Sequence, residues 1–344
     1  MAALTPITAV NAEDPYPYYA RLAVDHPLHF DGDLNCWVAA STHAVEEVLN
    51  NAAFHVRPPG DAVPSIMRDT ALGQLFARMV RMTDGPTHAS RRHNAEQLLE
   101  SLDVRAIASA LPELHTDPLE TLMFVFPSRA IATLLGIAAR DVEGIEVHAR
   151  ALARAIAPGA PPETVAPASN AVEALSAIFT ERFPDEQQRY GAIGLLFQTY
   201  DGTAGLIGNT LYHLAIVQPV IAARIVQDAP TLAGFVAEVA RLDPSVHNTR
   251  RFAASEIAID DDLVRENESV LVLLAAANCD PAAAGRTLTF GAGIHACIAA
   301  RLAITIASVA VKALSAAGID PAQIVRSGFH PALNVRVPHL TIRN

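Results

Sequence analysis

The residues best equipped for chemistry lie in one short stretch, Phe290-Gly291-Ala292-Gly293-Ile294-His295-Ala296-Cys297-Ile298-Ala299. Gly291 and Gly293 carry no Cβ atom, so the backbone there can turn sharply and approach a flat ligand closely. Beyond Cys297, Leu302, Ile304, Ile306, Val309, Val311 and Leu314 interleave with small residues, which predicts an apolar helix. Cys297 is therefore expected at or just before a helix N-terminus, where unpaired N–H groups and the dipole's positive end favour a thiolate. A thiolate wrapped by backbone donors is a suitable axial ligand for haem iron. Taken alone, the loop reads equally well as a turn holding a small buried hydrophobe.

Three other stretches carry polar groups at meaningful spacing. In Met82-Thr83-Asp84-Gly85-Pro86-Thr87-His88-Ala89-Ser90-Arg91-Arg92, Asp84 is placed to cap a helix that Pro86 pre-organises. His88 and Arg92, four apart, then share one helical face, suited either to solvent or to a carboxylate ligand. The pattern from Gly191 to Val217 predicts the longest helix, interrupted by Gln198-Thr199-Tyr200-Asp201-Gly202-Thr203-Ala204-Gly205. Each mid-helix glycine costs about 1 kcal/mol relative to alanine, so a pair predicts a kink or close packing through small residues. Finally, Glu238 and Arg241, three apart on a helix that ends before Pro244, can form an ion pair.

In this order the motifs resemble those of the cytochrome P450 superfamily. Phe290, Gly293, His295 and Cys297 match that family's Phe-x-x-Gly-x-(His/Arg)-x-Cys-x-Gly loop, with Ala299 where glycine is usual. Asp84, Pro86, His88 and Arg92 match its haem-propionate helix, and the opening Asp14-Pro15-Tyr16-Pro17-Tyr18-Tyr19 resembles the start of bacterial members. Glu238-x-x-Arg241 with Leu242-Asp243-Pro244 matches its structural pair, a buried brace beneath the cofactor that does no chemistry. The resemblance implies heme b as cofactor, Cys297 as metal ligand, and Phe290, Gly291, Gly293 and His295 as its loop. His88, Arg92 and Arg251 would anchor propionates, with Arg250 the alternative because a strand turns only one of the pair inward.

The resemblance also exposes two departures. The Leu206-Ile207-Gly208-Asn209 register puts Asp201 at the family's distal acid and Gly202, not threonine, at the hydroxyl position. Thr203 lies about 100° further around the helix, and Gln198 and Thr199 precede it, so Thr199, Thr203, a water or a substrate group must stand in. In addition, only Ala282 to Leu288 separate Pro281 from the cysteine loop. Most of the family's meandering segment is thus absent, along with its third bracing residue, for which Arg286 is a weak counterpart.

These residues need a scaffold. Hydrophobic residues make up 51% of 344 and aromatics 6%, which predicts a core of Ala, Leu, Val and Ile. The fold expected is mainly α with small β-sheets, a single haem domain over residues 1–344. His29 to Ala39 predicts a hairpin around Asp31-Gly32-Asp33, and Ser41 caps the helix after it. Residues 54–67 predict a loop, 72–80 a helix, and 118–136 a helix closed by Gly136. Residues 157–167 predict a connector, 257–272 a sheet, and Val246 to Thr249 a wall of the substrate cavity.

Net charge −11 argues against nucleic acid and anionic membranes as partners. The apolar runs near Val270 and Leu302 are expected to be too short to span a bilayer. Cys36, Cys279 and Cys297 show no disulfide-framework spacing, which fits a reducing, cytoplasmic setting. Zinc on His295, Cys297 and Cys279 would require a fourth ligand and a Cys-x-x-Cys that is not present. The expected function is a haem-thiolate monooxygenase acting on a small organic molecule, served by a ferredoxin-type electron donor. The alternatives are a haem-thiolate peroxygenase, dehydratase or isomerase, a haem-binding sensor or carrier, or a relative that binds no haem.

Overall fold

A computed structural model describes residues 4–114 and 117–343. It is mainly helical with small sheets. Among the described residues, β1 (Leu28–Asp31) and β2 (Cys36–Ala39) form the expected hairpin. The Asp31 carboxylate closes its turn by accepting from the Asp33 and Leu34 N–H groups, both at 3.0 Å. Then follow β3 (Phe54–His55), β4 (Thr249–Ala253), the hairpin of β5 (Ile257–Ile259) with β6 (Asp262–Val264), and β7 (Ser269–Val272). The strands β8 (Ile324–Phe329) and β9 (Pro338–Ile342) make a C-terminal hairpin. The larger sheet has the order β1-β2-β7-β4-β3, with only the β2–β7 pair parallel.

Local sequence explains the helix starts. Ser41 accepts from the Ala44 N–H ahead of Thr42–Asn50, Thr70 from the Gly73 N–H ahead of Ala71–Arg78, and Asp185 from the Gln188 N–H ahead of Glu186–Gln198. Asp84 departs from expectation. It occupies the N-cap position of Gly85–Glu100 but makes no capping bond, because its carboxylate is taken by the Val56 N–H and by His295. Residues 54–67 are not wholly loop, since β3 and the turn Ser65–Met67 lie within them. The connector after Ile156 is shorter than expected, because a helix resumes at Val165. Residues 118–134 are helical through a π turn at Thr121–Val125, and Gly136 ends them with φ 76°.

The main core gathers the helices Phe126–Leu134, Ile145–Ile156, Val165–Thr180, Glu186–Gln198, Tyr200–Ile216 and Ala300–Ala316. Residues 293–316 are long and apolar enough to cross a membrane by length and composition, contrary to the reading of that run as too short. In this fold Leu302, Ile306, Ala310, Val311 and Leu314 are buried in the core instead, and the helix packs on Tyr200–Ile216 and Ala229–Leu242.

The expected buried brace differs most. Glu238 and Arg241 do pair, Nε to Oε2 at 3.0 Å, but the Glu238 side chain is 52% exposed. Arg286 does not replace the lost third member, since it bonds Glu46 at 2.7 Å. Other groups tie the proximal side together. Asn278 donates to the Arg241 carbonyl at 3.0 Å and to Thr289 Oγ1 at 2.8 Å, and accepts from the Leu288 N–H at 2.7 Å. Thr289 in turn donates to the Ala240 carbonyl at 2.6 Å.

A buried charge cluster fastens the N-terminal segment to this region. Asp243 accepts from Tyr16 Oη and from Arg336 Nε at 3.1 Å, with His213 Nε2 3.1 Å away. Burial pushes the Asp243 carboxyl up, but these hydrogen bonds and the Arg336 charge outweigh it and hold it down at about 2. An unfolded aspartate titrates near ~4. The cluster's stabilisation is therefore complete above about 4 and is lost as the pH falls toward about 2. Asp243→Asn should cost about 3 kcal/mol in urea unfolding at neutral pH and flatten the loss of stability over that acid window. An unchanged unfolding midpoint would refute this assignment.

Candidate functional site

The cysteine loop is held by its own backbone. The Cys297 N–H donates to the Phe290 carbonyl at 2.8 Å, Gly291 to Leu288 at 2.8 Å, and Ala296 to Gly293 at 3.1 Å. Gly291 and Gly293 have φ of 72° and 66°, which favours glycine at both. At Gly293 a Cβ would also collide with the Leu49 carbonyl, so this glycine lets the loop seat on the helix Thr42–Asn50. The downstream helix begins at Ala300, three residues past the cysteine. The expectation of a favoured thiolate is not met in the protein alone. Burial raises the Cys297 thiol, and the Ala299 N–H, Arg92 and Arg81 only partly offset it. The residue is nonetheless exposed, so its sulfur can be reached.

Around this sulfur stands a cluster of basic residues. His88 is buried, its ring 4.2 Å from that of His295, and its Nε2 is buried without a hydrogen-bond partner. Burial, helped by His295 and Arg92, pushes its imidazole down to about 4. His295 Nε2 lies 3.1 Å from Asp84 Oδ1. Arg92 donates to the carbonyls of Ile294 and Ala296 at 2.7 and 2.8 Å and to Glu96 at 2.8 Å. In β4, Arg251 is buried and Arg250 exposed, which settles which of the two faces inward. Burial draws Arg251 down to about 10, against the pull of Asp84.

The interrupted helix carries the second predicted set of residues. It breaks at Thr199, between Glu186–Gln198 and Tyr200–Ile216, where Thr199 Oγ1 donates to the Leu196 carbonyl at 2.7 Å. Asp201 follows, its carboxyl pushed up to about 6 by burial alone. Thr203 is buried one residue past Gly202. Gly205 and Gly208 are packing glycines. A Cβ on Gly205 would meet the Arg336 carbonyl and Ser245, and one on Gly208 would meet Pro338 and Met123. Gly202 is different: a Cβ there would meet only Val246 Cγ2, at 3.8 Å. Val246 therefore packs against this helix, whereas His247 turns away to Tyr19 Oη at 2.9 Å.

A cleft of about 490 Å³ lies elsewhere, lined by Tyr16, Tyr212, His213, Arg241, Asp243 and Arg326 among others, and shares no residue with the cysteine loop. Its buried polar groups largely satisfy one another around Asp243. No group of three His, Cys, Asp or Glu able to hold a metal ion occurs among the described residues.

The donor set tests the cofactor directly. An accessible sulfur, an orphaned imidazole nitrogen and desolvated guanidiniums together suit a metal centre that carries carboxylates at its edge. Haem has both, and the residues fit it. Sequence reasoning misses Asn278 and Thr289, and it reads Asp84 as a helix cap rather than as the partner of His295. Their roles depend on partners more than 200 residues away for Asp84 and 37 for Asn278.

No family model matches the chain. A Xylella fastidiosa (strain Temecula1) protein provisionally named cytochrome P450 133B2 is 28% identical over 351 residues, covering 85% of this chain and 86% of its own. Cytochrome P450 monooxygenase PikC of Streptomyces venezuelae is 27% identical over 356 residues, covering 88% and 83%. Among solved structures, CalO2 superposes with a TM-score of 0.78 at 21% identity, over 99% of this chain and 98% of that one. P450BioI in complex with an acyl carrier protein gives 0.79 at 20% identity, over 95% and 97%.

If Arg251 faces the cofactor's carboxylates and Arg250 does not, Arg251→Gln should release haem to apomyoglobin about tenfold faster, the worth of one charge-assisted bond. Arg250→Gln should release it at the parent rate. Equal rates for the two variants would overturn the inward assignment.

Proposed function

The chain belongs to the cytochrome P450 superfamily, and from that premise we propose how its residues serve a haem-thiolate monooxygenase with a small organic substrate. The observation that carries the reading is the convergence of the accessible Cys297 sulfur with the unpartnered His88 imidazole and the buried Arg251. Heme b is the cofactor. When bound, it supplies the redox chemistry, with thiolate ligation favouring O–O cleavage.

The protein's own contribution is to bind, orient and manage protons. Cys297 would ligate the metal, and the metal's charge would reverse the burial penalty that otherwise keeps the thiol protonated. Phe290, Gly291 and Gly293 would shape the loop beneath the cofactor. His88, Arg92, Arg251 and His295 would hold the two propionates, with His295 oriented by Asp84. Asp201 would hold a proton at its carboxyl and release it to water as pH rises through about 6. Thr203 and Thr199 are the hydroxyls nearest in sequence to Gly202. Thr199 already donates to a carbonyl, which leaves it an acceptor. We read residues 1–344 as one haem domain in the cytoplasm, fed by a ferredoxin-type donor, with a role in specialised metabolism and no nucleic-acid or membrane partner.

Gly202 favours one second reading. Without a hydroxyl there, a peroxide-driven or non-oxidative reaction is easier to reconcile with the distal wall. The deciding experiment measures turnover of a substrate that perturbs the ferric spectrum. Dependence on reductant and O2, supplied through a surrogate ferredoxin, supports monooxygenation. Equal turnover with peroxide alone supports the second reading and defeats the first. Since a side chain at Gly202 meets only Val246, Gly202→Thr should fold normally and raise the product formed per reductant consumed. Asp201→Asn should lower kcat about tenfold to a hundredfold and remove an inflection near pH ~6. An unaltered pH profile in that variant would remove Asp201 from proton handling.

A further inference from the structure

A second cleft, of about 290 Å³, lies between the helices Gly85–Glu100 and Glu186–Gln198, which pack on each other. It shares no residue with the cysteine loop, with His88, Arg92 and Arg251, or with Thr199, Asp201 and Thr203. Its charged lining consists of two arginines, Arg91 and Arg182, with no carboxylate among the described residues. The chain as a whole has the opposite bias, 36 acidic residues to 25 basic ones. Asn94, Gln97 and Gln188 also line the cleft, and among the described residues their side-chain amides bond no other protein group.

Both guanidiniums are held in place and still have donors to offer. Arg91 Nη1 donates to the Ala77 carbonyl at 2.7 Å, which fixes the head and leaves Nε and Nη2 without a protein partner. Burial, joined by the charge of Arg78, draws Arg91 down. Arg182 makes no hydrogen bond or ion pair among the described residues. Its guanidinium lies over the Phe183 ring, 5.0 Å from the centroid, and beside Gly136, where a Cβ would sit 3.1 Å from Arg182 Nε. The carboxylates of the adjoining turns are committed elsewhere. Asp185 accepts from the Gln188 N–H at 2.8 Å, Glu186 faces Arg78 at 3.4 Å, and Glu96 accepts from Arg92 at 2.8 Å.

The rest of the lining is apolar. Val80, Ala95, Leu98, Phe183 and Leu195 supply it, with bare backbone at Gly191, where a Cβ would meet nothing within 4 Å. A free inorganic anion would leave that surface in water, whereas an apolar body would cover it. The volume falls just below the range of pockets for drug-sized molecules, which begins at roughly 300 Å³, so a body about the size of a single ring fits.

We propose that this cleft is a second binding site, for a small organic carboxylate with a compact apolar body. Arg91 and Arg182 donate to the carboxylate oxygens, as guanidinium forks do, and Phe183 and Leu195 cover the body. The occupant bridges the helix that carries His88 and Arg92 to the helix that leads into Asp201. The cleft stands on its own residues, so failure of the haem-thiolate reading would leave this assignment to its own test.

That test is a calorimetric titration of the holoprotein with benzoate, its uncharged isostere benzamide and inorganic phosphate, in the parent, Arg182→Gln and Gly191→Phe. The ferric Soret band and the unfolding midpoint of each protein are recorded alongside. The parent should bind benzoate at least about tenfold more tightly than benzamide. Arg182→Gln has no protein hydrogen bond to lose and should erase that preference. Gly191→Phe places a ring in the cleft and should weaken both ligands at least about tenfold. No benzoate binding in the parent, equal affinity for benzamide, or an unaltered preference in Arg182→Gln would each overturn the proposal, as would parent-like binding in a folded Gly191→Phe. Should Gly191→Phe fail to fold, the preference in Arg182→Gln decides alone. Phosphate binding as tight as that of benzoate would reveal a bare charge trap and overturn the organic class. A benzoate-induced Soret shift that persists unchanged in both variants would place the ligand beside the cofactor and overturn the cleft assignment.

Discussion

Everything in this molecule turns on a thiol held where the protein opposes its ionisation. Burial raises Cys297, and one N–H with two guanidiniums cannot offset it. Such a site resists adventitious oxidation chemistry while empty of charge and becomes a strong donor once a metal cation supplies the missing positive potential. The same principle runs through the surrounding basic residues. His88 and Arg251 are drawn down by burial, so they too are set against their own charged forms until carboxylates join them. On the proposed reading, sulfur and basic residues would share one requirement, a ligand bearing a metal at its centre and anions at its rim.

The scaffold achieves this placement with less chain than the family's pattern calls for. The Glu238–Arg241 pair is open on its glutamate side. An exposed pair of this kind contributes little. Rigidity comes instead from Asn278 and Thr289, whose side chains hold the end of Ala229–Leu242 to the start of the cysteine loop. Both are buried, so their hydrogen bonds act without competition from water. Gly293 completes the seating by allowing the loop to touch the helix Thr42–Asn50.

Much of this was legible in the chain, and the reasons are local. The hairpin at Asp31-Gly32-Asp33, the Ser41 cap and the closing Gly136 each follow from the conformational preferences of one or two residues. The inward turn of Arg251 follows from strand alternation once the strand is known. What could not be read depends on contacts across the fold. Asp84 looks like a helix cap, yet Val56 and His295 compete for its carboxylate and win. Glu238 and Arg241 look like a buried brace, and only the exposure of the glutamate in the fold shows that the pair is open on one side. The thiolate expected beside a helix end fails because burial raises the thiol by more than the Ala299 N–H, Arg92 and Arg81 lower it.

The claim beneath all of this is that Cys297, and no histidine, ligates the iron. The most direct measurement is the absorption spectrum of the reduced, CO-bound protein beside that of Cys297→Ala. The parent should show the strongly red-shifted Soret band of thiolate ligation, and the variant should lose it along with most of its haem. A parent spectrum of the imidazole-ligated kind, or a variant spectrum identical to the parent's, would contradict the account.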